Sequence, residues 1–173
     1  MAHILLFSKP RDCVEAKTRL RSDFSDQQIS LLHQAFVTDC LDMLTELCAS
    51  KVSCFWYQNS DEVAQRLYPQ FQHQVQCGGS FGDRLEDARR KAFASAEFPL
   101  IVIGSDCPLL SLTLLQQATK EATAGKIVLG PSQNGGFYLL GIPRAASHVK
   151  VNSLFAAGNE VVTVRKAYGA QEL

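Results

Sequence analysis

The alternation of short apolar runs with stretches of helical periodicity restricts this chain more than any other feature. Leu100 to Gly104 is β-rich, apolar on both faces and closed by glycine, which suits a strand buried in a parallel sheet. His3 to Ser8 is a second such run, and a polar loop follows it to about Asp23. From Ser25 to Ala49, Ile29, Leu32, Phe36, Cys40, Met43 and Leu47 recur at three- and four-residue steps, the signature of a long helix with one apolar face. Val52–Tyr57 and Phe71–Gln76 read as strands, and Val63–Leu67 as a short helix ended near Pro69. A helix is expected from about Gly82 to Ala96, with Asp83 and Glu86 at capping-box spacing. Ser111 can cap another that runs to Ala124 and stops at Gly125. Ile127–Gly130 and Phe137–Ile142 flank a Pro-Ser-Gln-Asn-Gly-Gly turn as two further strands. The expected fold is α/β: a three-layer α/β/α sandwich with a mostly parallel central sheet.

The chain of 173 residues shows no repeat or linker, so residues 1–173 read as one domain, the tail from Lys150 being the least patterned part. Lys plus Arg and Asp plus Glu both number 17, so no overall field favours nucleic acid or an anionic membrane. The apolar run at Met1–Phe7 is too short for a signal-peptide core, and no stretch approaches the ~20 apolar residues of a membrane span. Six cysteines (13, 40, 48, 54, 77 and 107) include no Cys-x-x-Cys pair, and the four histidines stand apart from them. Reduced thiols in a cytoplasmic protein, without zinc, are the expectation.

In such sheets ligands bind outside the carboxyl ends of the strands, where four segments carry unusual chemistry. Lys9 to Arg21 holds five cations against two anions, which suits a diphosphate and equally a solvated basic loop. Gln76-Cys77-Gly78-Gly79-Ser80-Phe81-Gly82-Asp83-Arg84 places glycines before a helix, either to let amides approach an anion or as a plain turn. Gly104-Ser105-Asp106-Cys107-Pro108 sets a carboxylate at the end of the most apolar strand. There it can hold a hard divalent cation together with phosphates, or bond the backbone of its own turn. Gly130-Pro131-Ser132-Gln133-Asn134-Gly135-Gly136-Phe137-Tyr138 admits a close ligand or a simple hairpin.

In this order and spacing the four segments resemble the nucleotide-diphospho-sugar transferase-like proteins of GT-A, Rossmann-like fold. More narrowly they resemble the radical-SAM/selenodomain-associated transferases, or arsenosugar-biosynthesis glycosyltransferases, over residues 3 to 142. The resemblance implies a cytoplasmic, metal-binding glycosyltransferase or nucleotidyltransferase whose partner is a nucleotide or nucleotide-sugar, working as monomer or homodimer without membrane or nucleic acid. Lys9, Lys17, Thr18, Arg19, Gln76, Gly78, Arg84, Ser105, Gly135 and Gly136 would bind substrate. Asp106 and Asn134 would be catalytic, and Asp106 would hold Mg²⁺ or Mn²⁺.

The chain departs from that family at Ser80, Leu109 and Asn134, where aspartates are usual, and at Val14, where glycine is. The family's further acidic motif has no counterpart after Ile142. These departures set a second reading beside the first, a relative that binds nucleotide or a partner without turnover. Cys107 has no histidine in the neighbouring motifs to serve as its base and reads as a small apolar residue, and Trp56 reads as core.

Overall fold

The computed structural model describes residues 1–13, 15–47, 50–95, 97–133, 135–155, 162, 164, 169 and 171–173. Its strands are β1 (His3–Ser8), β2 (Lys51–Trp56), β3 (Gln72–Val75), β4 (Leu100–Gly104), β5 (Val128–Pro131), β6 (Phe137–Ile142) and the two-residue β7 (Gln171–Glu172). They form one sheet in the order β3-β2-β1-β4-β6-β5-β7. All the described strand pairs are parallel except those made by β6, which runs against both β4 and β5. From β1 the chain steps outward through β2 and β3, then returns to place β4 on the other side of β1. The connections therefore diverge between β1 and β4, and that divergence opens a crevice at the carboxyl edge.

Helices α1 (Asp26–Thr45), α2 (Glu62–Leu67), α3 (Phe81–Ser95) and α4 (Leu112–Thr123) cover the two faces. Because side chains alternate along a strand, Ile4 and Leu6 of β1 enter one core with Val37 and Leu41 of α1, Ala64 of α2 and Leu115 of α4. Leu5 and Phe7 point the other way, into a core with Leu85, Ala88 and Ala92 of α3. Three layers result, as the alternating pattern requires. No described helix is long and apolar enough to cross a membrane.

Several local expectations shift. The box that starts α3 lies three residues earlier than Asp83 and Glu86. The Asp83 amide donates to Ser80 Oγ at 3.1 Å, and the Ser80 amide donates to Asp83 Oδ2 at 3.3 Å. Glu86 instead accepts the Val151 amide at 3.0 Å and pairs with Arg89 at 2.5 Å, docking the C-terminal segment onto α3. Helix α1 starts from a capping box at Ser25 and Gln28 and ends at Thr45, short of the expected Ala49, which with Cys48 lies outside the described residues. Its fully buried stripe is Ile29, His33, Val37, Cys40, Leu41 and Leu44. Leu32, Phe36, Met43 and Leu47 only flank it, because the buried stripe passes through a histidine that apolar counting skips. Ser111 caps α4, and Gly125 follows it with φ of +90°. Trp56 is fully buried and stacks on His73 at 6.0 Å between ring centroids.

Candidate functional site at the carboxyl edge

The crevice at the β1/β4 divergence is a cavity of about 740 Å³. The β1–α1 loop lines it with Lys9, Glu15, Lys17, Thr18 and Arg19; the segment before α3 gives Gln76 and Arg84, and the loop after β4 gives Ser105 and Asp106. Eight residues singled out from the sequence thus meet on one wall system. Four cations stand there against two carboxylates, in a chain of zero net charge.

Sorting of the basic loop explains this excess. Arg11 turns away and closes a bidentate pair with Asp61, Nε to Oδ2 at 3.1 Å and Nη2 to Oδ1 at 3.2 Å. Asp61 also caps α2 through the Ala64 amide at 2.7 Å. Burial works against that carboxylate's charge, but these bonds hold its pKa below the ordinary value. Arg21 pairs with Asp26 at the start of α1. Lys9, Lys17 and Arg19 are left to face the cavity.

Lys17 Nζ donates to Asp106 Oδ1 at 2.6 Å, bridging the loops after β1 and β4. The lysine backbone is left-handed, φ 50° and ψ 36°, a conformation costly for a residue with a side chain. Its ammonium lies 4.3 Å from the centroid of Phe36, and its side chain is 10% exposed against 71% for Asp106. Below it, the buried His33 donates from Nε2 to the Pro10 carbonyl at 3.1 Å and so pins the loop. Burial lowers the His33 pKa, and that hydrogen bond and the Asp106 charge oppose the shift only in part. Ser8 and Ser105 hydroxyls meet at 2.8 Å and tie the two strand ends together.

Gln76 lines the cavity but its amide works inward. Nε2 donates to the carbonyls of Phe55 at 2.9 Å and Ser8 at 3.3 Å, while Oε1 accepts Arg84 Nε at 2.9 Å. Arg84 also donates from Nη1 to the Gly79 carbonyl at 2.8 Å and stacks 4.7 Å from the Tyr57 centroid. Gln76 is therefore a residue that aims Arg84.

Among the described residues Gly78, Gly135 and Gly136 do not line this cavity. Gly78 has φ of +131°, and a Cβ there would stand 2.8 Å from the Arg84 amide nitrogen, so the segment closes tightly onto the start of α3. Gly135 has φ of +85° in the β5–β6 turn, which sits at the same edge of the sheet. Asn134 lies outside the described residues, as does Val14. Cys107 packs partly buried against the core below.

Sequence reading missed Tyr57, His33 and Phe81, all of which line the cavity. Tyr57 follows the carboxyl end of β2 and Phe81 opens α3, positions that the strand-end rule marks; His33 is the one strongly polar side chain on the buried stripe of α1. Phe7, Phe81, Phe155 and Phe137 form a row of rings 5.1 to 6.0 Å apart leading from the cavity toward the β5–β6 turn.

Asp106 offers carboxylate oxygens of the kind a hard dication takes, one of them already paired with Lys17. No group of three metal-ligating side chains occurs among the described residues, so such an ion fits only with ligand oxygens completing its shell.

The sheet order, with β6 reversed among the described strands, makes a mixed α/β fold shared with solved structures named as nucleotide-diphospho-sugar transferase and cytidylyltransferase. A protein of Desulfovibrio desulfuricans G20 provisionally assigned as a nucleotide-diphospho-sugar transferase superposes with a TM-score of 0.83 at 23% identity, over 100% of this chain and 80% of the other. A cytidylyltransferase from Leptospira borgpetersenii serovar Hardjo-bovis gives 0.60 at 12% identity, covering 99% and 75%. A 4-diphosphocytidyl-2C-methyl-D-erythritol synthase gives 0.60 at 15%, covering 100% and 88%. At these identities the likeness is one of fold. None of the curated proteins compared with the chain matches it. Residues 40–156 match the family described as "uncharacterized protein conserved in bacteria" (DUF2064), and the chain belongs to that family.

Proposed function

We propose that this protein binds a nucleotide-activated donor, a nucleoside diphosphate-sugar in the first instance, and transfers its glycosyl or nucleotidyl group. The observation that carries the reading is the convergence of Lys9, Lys17, Arg19 and Arg84 on one cavity at the β1/β4 crevice. In either transfer the acceptor oxygen forms the new bond, and the bond to a phosphate oxygen of the leaving group breaks. From a nucleoside diphosphate-sugar the electron pair departs on nucleoside diphosphate; nucleotidyl transfer takes a nucleoside triphosphate as donor and releases pyrophosphate. In both the acceptor hydroxyl loses its proton to solvent. Preset cations stabilise the charge that builds on the leaving diphosphate. Lys17 and Arg19 face that diphosphate, Lys9 and Arg84 flank it, and Gln76 holds Arg84 in place. Asp106 would hold Mg²⁺ or Mn²⁺ jointly with the phosphates, and the ion would supply further charge neutralisation. On the family resemblance, Asn134, Gly135 and Gly136 would belong to the acceptor side of the site. The protein would act in the cytoplasm, as a monomer or homodimer.

A second reading, nucleotide binding without turnover, is favoured by one observation. Leu109, 89% exposed and three residues after Asp106 in the chain, stands where the family resemblance expects a carboxylate. Incubation with a panel of nucleotide-sugars and Mn²⁺ or Mg²⁺, with Asp106→Ala as control, separates the two. Product that disappears with the substitution supports transfer through Asp106. Ligand-induced thermal stabilisation without product under any condition supports the binder. Equal rates from the variant remove Asp106 from the reaction.

A further inference from the structure

We propose that Lys17 keeps free divalent cations off Asp106, so that a dication enters only with a phosphate-bearing ligand that draws the ammonium away. The inference rests on the nucleotide reading above. Three observations carry it. The ammonium sits 2.6 Å from Oδ1, a distance at which it occupies the direct contact an incoming ion would need on that oxygen. The lysine is placed by the fold and not by its partner. Its backbone is left-handed, its carbonyl accepts the Leu20 amide at 2.9 Å, and its side chain is sheltered while Asp106 is open to solvent. Phe36 attracts the ammonium at 4.3 Å from its ring centroid and adds a second hold on it beside the carboxylate.

No group of three His, Cys, Asp or Glu among the described residues offers an ion compensating ligands elsewhere. At Asp106 a dication arriving alone therefore meets a carboxylate already paired with a fixed positive charge, the cavity's other carboxylate being Glu15. A diphosphate changes the balance. It brings several anionic oxygens within reach of Lys17, Lys9 and Arg19, gives the ammonium a stronger partner and leaves Asp106 to share the ion. Binding is then ordered, nucleotide with or before metal, and the pocket does not fill with metal in the ligand's absence.

The test is Mn²⁺ binding to the full chain, followed by water-proton relaxation, for the parent, Lys17→Met and the double variant Lys17→Met/Asp106→Asn. Methionine keeps an unbranched stem against Phe36 and removes the charge; Lys17→Gln repeats the comparison should Lys17→Met fold poorly. With Mn²⁺ alone, Lys17→Met binds at least about tenfold more tightly than the parent, and the double variant loses that gain. In the presence of UDP the parent acquires Mn²⁺ binding. Equal Mn²⁺ affinity for parent and Lys17→Met, whether tight or absent in both, overturns the proposal, as does a gain that survives in the double variant. Calorimetric titration of UDP, CDP, ADP and GDP judges the nucleotide reading separately. If none binds with or without metal, that reading fails while the comparison in Mn²⁺ alone still decides the role of Lys17.

Discussion

Acidification should destabilise this protein through His3 before its carboxylates protonate. The ring lies in β1, 2% exposed, with Nε2 against Ser53 Oγ at 2.8 Å and Nδ1 buried without a hydrogen-bond partner. Burial, reinforced by the charge of Lys51, lowers its pKa from 6.5 to about 4. The unfolded chain therefore takes up this proton first as pH falls. Stability is fully present above pH 6.5, declines below it, and the loss levels off below about 4. At 1.36 kcal/mol per unit, the loss from this one group is about 2 kcal/mol at pH 5 and about 3 kcal/mol in full. The first figure corresponds to a fall in Tm of about 4–8 °C for a chain of this size. His33 acts in the same direction, so His3→Leu isolates the contribution; Ser53 Oγ then still has Gln72 Oε1 at 3.1 Å. Denaturant melts of the parent and His3→Leu at pH 7.5, 6 and 5 check this. The gap between them should shift by about 2 kcal/mol in favour of the variant from pH 7.5 to 5. Parallel pH profiles would refute the reasoning.

Two further predictions concern the site's framework. Gln76→Leu leaves the Phe55 carbonyl without the Gln76 amide donor and Arg84 Nε without its acceptor. It should cost about 1–3 kcal/mol in chemical denaturation and weaken diphosphate binding in calorimetry, through loss of Arg84 alignment. Gly78→Ala meets both a φ of +131° and backbone atoms at 2.8 and 2.9 Å, so it should cost about 2 kcal/mol or more; Gly79→Ala, with nothing within 4 Å of its Cβ, should melt near the parent.

The layer order was legible because it depends on periodicity. Leu100–Gly104 and Phe137–Ile142 can be only buried strands, and the structure returns them with the same bounds. The cations were legible as a group, but not which of them face the cavity. Lys9 to Arg21 reads as one basic loop, and only the tertiary position of Asp61, fifty residues away from Arg11, removes Arg11 from the cavity. The inward use of Gln76 was equally hidden, since it depends on the carbonyls at the ends of β1 and β2 lying side by side. His33 was overlooked because apolar counting treats a polar residue as the edge of a stripe, whereas here one ring nitrogen, Nε2, is met by the Pro10 carbonyl and the ring is buried with the stripe. Ser80 looked like a lost carboxylate, and its hydroxyl proves to cap α3.

The central claim is that the β1/β4 cavity is built for a diphosphate, and calorimetry of nucleoside diphosphates against their parent nucleosides tests it most directly. For the base that binds best, the diphosphate should bind about a hundredfold more tightly than the nucleoside, with an affinity that falls as salt rises. Equal affinity for the two, or binding indifferent to salt, would contradict it.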